Sequence, residues 1–195
     1  MHNLVSRFVL GYHGCDKATA ERLLKGEDFK PSQNDYDWLG PGIYFWEVNP
    51  KRGLEWAAEL KKWGKKSPTR IKTPAVVGAV IDLGLCLDLT TSAGVEQVRN
   101  AHSGFLQLAN ETELPLPLNS ADGLMRNLDC AVIRMFHTIR KDGGAPSVDS
   151  VRGVFVEGSP IYQGSGFYAK THIQVCVCNP ERIKGVFRVP QRDLA

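Results

Sequence analysis

Two short stretches in the first quarter of the chain gather residues able to hold a flat, polar ligand. They are Gly11-Tyr12-His13-Gly14-Cys15 and Leu39-Gly40-Pro41-Gly42-Ile43-Tyr44-Phe45. Each reads as a strand in which a polar or aromatic side chain stands beside glycine, and glycine lets a ligand lie directly against backbone. The His13 imidazole can donate to or accept from a hydroxyl. The Tyr44 ring can stack on a cationic heteroaromatic ring, an attraction of about 0.5–2 kcal/mol. Near the C-terminus, Thr171-His172-Ile173-Gln174-Val175-Cys176-Val177-Cys178 reads as a strand. It offers the Gln174 amide, a hydrogen-bonding group without charge, and places His172 on the same face two residues earlier. Glu157 is the best-placed carboxylate upstream of it. Each residue also has a structural explanation: a histidine at a strand end is commonly satisfied by its neighbours, and Ser32 and Asp37 lie in a loop where polar residues are expected.

The elements that must position these groups follow from pattern and punctuation. Phe8 to His13 is an apolar run ending at Gly14, with Asp16 as N-cap of a helix over Lys17 to Lys25 that stops at Gly26. Residues 30–42 are rich in turn formers and lead into a strand over Gly42 to Trp46. Asn49-Pro50 opens a helix with cap and proline in the favoured order, and it closes at Gly64. The basic run of Lys61, Lys62, Lys65, Lys66, Arg70 and Lys72 reads first as a solvated helix end that complements the macrodipole, and second as a phosphate-binding patch. Ala75 to Asp82 is a β-branched strand. Two helices are expected over Ser92 to Ala109 and Ala121 to Lys141, separated by a proline-broken segment. Three strands close the chain: Gly153 to Glu157, Thr171 to Cys178 and Gly185 to Val189. Strands at both ends with helices between them predict an α+β domain spanning residues 1–195.

Composition sets the outer bounds. Of 195 residues, 43% are hydrophobic and 23% charged, which excludes disordered and collagen-like classes. A net charge of +3 and a pI near 8.6 permit a nucleic-acid partner without requiring one. The five cysteines are scattered with no C-x-x-C pair, so a metal site is not expected and a reduced, cytoplasmic setting is. No leader peptide is read at the N-terminus, and no apolar run reaches the ~18 residues that a membrane span needs.

The paired stretches resemble the diphtheria-toxin and poly(ADP-ribose)-polymerase branch of the ADP-ribosyltransferases. Those enzymes carry histidine-glycine-serine followed later by glycine-x-glycine-isoleucine-tyrosine-phenylalanine; here Cys15 replaces the serine. The resemblance implies a split antiparallel β-sheet core with flanking helices and NAD as substrate. It assigns the ribose-hydroxyl contact to His13, the backbone carboxamide contact to Gly14 and the ring stack to Tyr44. Tyr12, Ser32, Gly42 and, more loosely, Trp56 would complete the NAD pocket. At the family's third position, a glutamate at the C-terminal strand, Gln174 stands instead. Three consequences are open: Gln174 orients NAD while Glu157 activates the acceptor, the acceptor needs no base, or the domain binds NAD or ADP-ribose without transferring it. The implied activity is mono-ADP-ribosylation of a macromolecule, protein or nucleic acid. The small format resembles bacterial toxins and phage-defence effectors restrained by an antitoxin or immunity partner. A tRNA 2′-phosphotransferase-like enzyme, also NAD-dependent, stands beside it. The middle, residues 92–144, resembles nothing assigned.

Overall fold

The computed structural model describes residues 8–64, 70–121 and 123–194. Lys65 and Lys66 of the basic run, and the first seven residues, lie outside the described residues. The element order is β1 (Phe8–Asp16), α1 (Lys17–Leu23), β2 (Ile43–Glu47), α2 (Pro50–Trp63), β3 (Pro74–Asp82), β4 (Cys86–Asp88), α3 (Ser92–Thr112), α4 (Asn127–Asp142), β5 (Ser150–Phe155), β6 (His172–Val177) and β7 (Ile183–Arg188). Short 3-10 turns cover Pro180–Arg182 and Gln191–Leu194. The protein is α+β, as its pattern predicts, with one seven-stranded sheet in the order β4-β5-β6-β2-β1-β3-β7.

The sheet is antiparallel throughout except at one edge, where β4 runs parallel to β5 and makes it mixed. Its centre is uneven. β1 pairs with β3 over its whole length, from Phe8↔Asp82 to Asp16↔Pro74. With β2 it pairs only at Gly11↔Glu47 and Tyr12↔Trp46. Beyond Tyr12 the two strands part, β2 continuing along β6 from Trp46↔Gln174 to Ile43↔Val177. The sheet therefore opens into two leaves at His13.

Alternation decides what each leaf buries. Ile43 and Phe45 turn to one side and pack with Ala79, Ile81, Val175 and Val177. Cys176, on the other side, joins Val151, Leu87, Ile133 and Phe136 under α3 and α4. Helix α1 closes the first side through Ala20 and Leu23 against Cys15 and Val77. Asp16 locks that corner: one carboxylate oxygen accepts from Ala18 N–H at 2.9 Å, the other from Lys72 and Thr73 N–H at 2.7 and 2.9 Å.

Helix α4 begins at Asn127 rather than near Ala121. Before it, Ser120 N–H donates to Met125 O at 2.7 Å. The cap comes from outside the helix, the Asn119 side chain accepting from Leu128 and Asp129 N–H. The three-residue β4 is too short to show a period and is missed by pattern reading.

Candidate functional site

A cavity of about 570 Å³ runs through the opening between the leaves. Its wall includes His13, Gly14, Ser32, Gly42, Tyr44, Trp56, Glu157 and Gln174. Residues more than 150 positions apart thus share one space because β2 lies between β1 and β6. Tyr12 is not among them: it points under α2 and the C-terminal turn, nearly buried and edge-on to Phe187 at 6.2 Å. The expectation that Tyr12 contributes to a ligand pocket is corrected by strand alternation.

His13 sits where the strands part and replaces a missing ladder bond. Its Nδ1 lies 2.9 Å from the Tyr44 carbonyl oxygen. A carbonyl only accepts, so Nδ1 carries the proton and Nε2 keeps a lone pair for a hydroxyl. Phe29 and Phe45 fix the ring at 5.3 and 5.7 Å. Burial among them holds the His13 pKa below its ordinary 6.5, so the ring is neutral at neutral pH. The Tyr44 hydroxyl donates to Gly40 O at 2.6 Å and accepts from Leu39 N–H at 2.9 Å. Its ring is thereby locked against the loop, and burial raises its pKa well above the usual value.

The glycines prove to be packing devices first. A Cβ on Gly14 would lie 2.0 Å from the Gly53 carbonyl oxygen of α2. One on Gly42 would lie 2.5 Å from Cys176 Sγ, and one on Gly40 2.7 Å from Ile133. The close approach they permit is of helix and strand to the chain itself, while Gly14 and Gly42 also line the cavity. Cys15, in the place of the family's serine, is buried, which pushes its thiol pKa up to about 12 and leaves no thiolate for nucleophilic work.

The 30–42 loop forms a rim. Ser32 and Gly42 exchange backbone hydrogen bonds at 2.7 and 3.1 Å. The Asn34 side chain donates to Ser32 Oγ and to Asp37, whose carboxyl pKa is raised by burial. Arg134 of α4 holds the rim from below through the carbonyls of Gln33 and Asn34.

Across the opening, Gln174 stands beside Trp46 on β2 and Gly153 on β5. Among the described residues its side chain makes no internal hydrogen bond, so both amide functions are open to the cavity. Glu157 lies further along the same edge, and its Oε2 is 3.0 Å from Arg52 Nη2. The Arg52 side chain, only 6% exposed, also lies 3.6 Å from Glu59. Its guanidinium sits 5.9 and 6.0 Å from the Trp46 and Trp56 rings, and its buried Nε and Nη1 have no hydrogen-bond partner among the described residues. Arg52 is among the cavity residues that sequence reasoning missed, as are Trp46 and Trp63. The available signal for Arg52 was its spacing of four from Trp56 on an expected helix, which places both on one face. His172 is buried behind Glu157, its Nδ1 2.7 Å from Lys170 O, and is not on the cavity wall.

Acid should weaken the fold in two stages. Burial lowers the pKa of both His13 and His172, so below about pH 6.5 the unfolded chain takes up protons that the folded chain refuses. Stability is therefore full above that pH and falls as pH drops through it. At Asp88 and Asp149 burial pulls the pKa upward, but hydrogen bonds and arginines outweigh it and hold both below 3.8, which gives a second loss below about pH 4. Urea midpoints measured from pH 8 to pH 3 should step down in both windows.

Among the described residues no helix is long and apolar enough to cross a membrane, and all five cysteines are free thiols. No family model matches the chain, and no solved structure matches it. It is similar to an uncharacterized protein of Methanocaldococcus jannaschii, 29% identical over 191 residues that span 89% of this chain and 83% of the relative.

Proposed function

We propose that the chain is a mono-ADP-ribosyltransferase of the ADP-ribosyltransferase-like split-sheet class, which moves ADP-ribose from NAD to a macromolecular acceptor and releases nicotinamide. The observation that carries the reading is the convergence of His13, Gly14, Tyr44 and Gln174 on one opening between two leaves of a sheet. A cavity of about 570 Å³ falls in the range of small-molecule and dinucleotide sites.

In this reading the nicotinamide ring lies on Tyr44, the unpartnered Nε2 of His13 accepts from a ribose hydroxyl, and the Gln174 amide bonds the neighbouring hydroxyl. The bond between ribose C1′ and the pyridinium nitrogen breaks, with its electron pair passing to nicotinamide. A nucleophile on the acceptor then bonds C1′ and gives up its proton to the Glu157 carboxylate or to water. Gln174 supplies orientation without the charge that would stabilise positive charge developing on the ribose. The reaction then rests on positioning. A cytoplasmic effector restrained by a partner protein fits this format.

A second reading, a module that binds NAD or ADP-ribose without chemistry, is favoured by one observation: Glu157, a carboxylate on the cavity wall, is already engaged by Arg52. Incubation with labelled NAD and cell protein, RNA or DNA separates the two. Transfer of label with release of nicotinamide, lowered roughly 10- to 100-fold in His13→Ala by loss of one positioned hydrogen bond, is the result expected. Measurable NAD binding without nicotinamide release would sink the transferase reading and leave the module.

A further inference from the structure

Trp46, Trp56 and Trp63 line the cavity in succession, with ring centroids 6.0 and 5.4 Å apart. Trp46 is buried at the floor, Trp56 is half-buried, and Trp63 is 39% exposed at the rim. None of the three is needed to account for the nicotinamide contacts, which fall on Tyr44, His13 and Gln174. The ladder follows the face of α2 and ends where that helix ends. There Lys61 and Lys62 are exposed, and the chain re-enters the described residues with exposed Arg70 and Lys72. Among the described residues these four cations have no ion-pair partner. The side wall thus becomes basic as it reaches solvent while remaining aromatic.

A second aromatic surface stands on the same flank. The loop between β5 and β6 exposes Tyr162 and Phe167, and it is tied to α2 by Lys170 Nζ and Glu59 Oε1 at 2.6 Å. A run of rings in tilted and edge-on contact, reaching solvent beside exposed cations, matches a chain of bases joined by phosphates, since every base offers a π-face and every linkage a negative charge. A folded protein acceptor would instead call for an apolar contact surface with a polar rim.

We infer that the acceptor is single-stranded nucleic acid, led along the tryptophan ladder with its phosphates on the α2 cations, so that an unpaired base or its ribose reaches the cavity. This rests on the transferase reading. The bond formed is between ribose C1′ of NAD and a nitrogen or oxygen of that nucleotide. The bond broken is the nicotinamide C1′–N bond, whose electron pair leaves with nicotinamide, and the acceptor's proton passes to Glu157 or water. A duplex has its bases stacked and is excluded.

The test uses the whole chain and fluorescein-labelled octamers of uridine, of thymidine and of a duplex, first without NAD. Anisotropy should show binding of the single strands over the duplex. Trp63→Ala should weaken it about tenfold, the value of one base stack. The double variant Lys61→Ala/Lys62→Ala should flatten the log–log salt slope by about 1.4, which is about 0.7 for each of two phosphates no longer neutralised. With labelled NAD added, label should move to the single strand, and the RNA and DNA arms identify the sugar. Absence of single-strand binding at low salt, binding unchanged in Trp63→Ala with wild-type circular dichroism, or label passing to an unstructured peptide and not to an octamer would each overturn the inference. Failure of the underlying reading is seen separately, as no NAD binding by calorimetry with the protein alone.

Discussion

Gly14→Ala should cost the fold about 3 kcal/mol or more, although it adds a single methyl group. The added carbon would lie 2.0 Å from the carbonyl oxygen of Gly53 and 2.9 Å from its carbonyl carbon. Both are backbone atoms in the first turn of α2, so no rotamer can yield. The helix cannot retreat locally, because Gly53 also packs against Val76 and Trp46, and Arg52 beside it is anchored to Glu157. Relief requires α2 to lift from β1 and β3, giving up the burial of Ala57 and Leu60. Urea denaturation should show a large fall in midpoint with an unchanged m-value, as expected for loss of stability without a change in compactness. A variant as stable as the parent would mean that α2 does not sit against β1 at this point. Gly26→Ala is the matching control for steric crowding, since a Cβ there meets nothing within 4 Å. Its φ of +94° nevertheless carries a conformational penalty.

Arg52→Ala should be the second severe lesion, at about 3 kcal/mol. Its guanidinium is the shared cation for Glu157 at 3.0 Å and Glu59 at 3.6 Å, packed between two indoles. Removing it leaves the Glu157 carboxylate, 17% exposed, beside apolar rings without its counter-charge. Glu59 keeps Lys170, and both carboxylates reach some solvent, which places the cost at the lower end of the range for broken buried pairs. The paired change Arg52→Met with Glu157→Gln should recover most of the stability, because a carboxamide needs no cation and Met fills the space between the rings. That recovery distinguishes an uncompensated charge from a mere loss of packing. In the transferase reading the paired variant should use its acceptor more slowly despite its recovered stability, because only water is then left to take the proton.

What pattern could and could not read divides along the reach of each signal. Helix α1 and its Asp16 cap, the Asn49-Pro50 start of α2 and the β-branched β3 were readable because each signal is local. The start of α4 was not, since its cap is Asn119, eight residues before the first helical residue. Tyr12 and His13 are neighbours with opposite fates, and only the point where β1 leaves β2 decides which of them meets the cavity. Glycine spacing marked the correct strands but for a different reason: Gly14, Gly40 and Gly42 make room for α2, α4 and β6 before they make room for anything else. Arg52 in Pro-Lys-Arg-Gly carries no local signal of its ion pair, because the carboxylate it meets stands 105 positions away.

The parting of β1 from β2 also has a mechanical meaning. The two leaves are riveted at Gly11–Glu47 and Tyr12–Trp46, with one further bond from Val48 N–H to Leu10 O, whereas β1 and β3 are zipped over nine residues. The thinnest weld in the sheet thus borders the cavity, and whatever fills that cavity acts as a keystone touching both leaves. At a hundred times its Kd such an occupant adds about 2.7 kcal/mol to the cohesion of the whole domain. Its departure returns the molecule to its most easily sprung form. In the transferase reading, any change that rivets the leaves more firmly should slow loading and release together, so that the pace of turnover and the toughness of the protein are set at one joint.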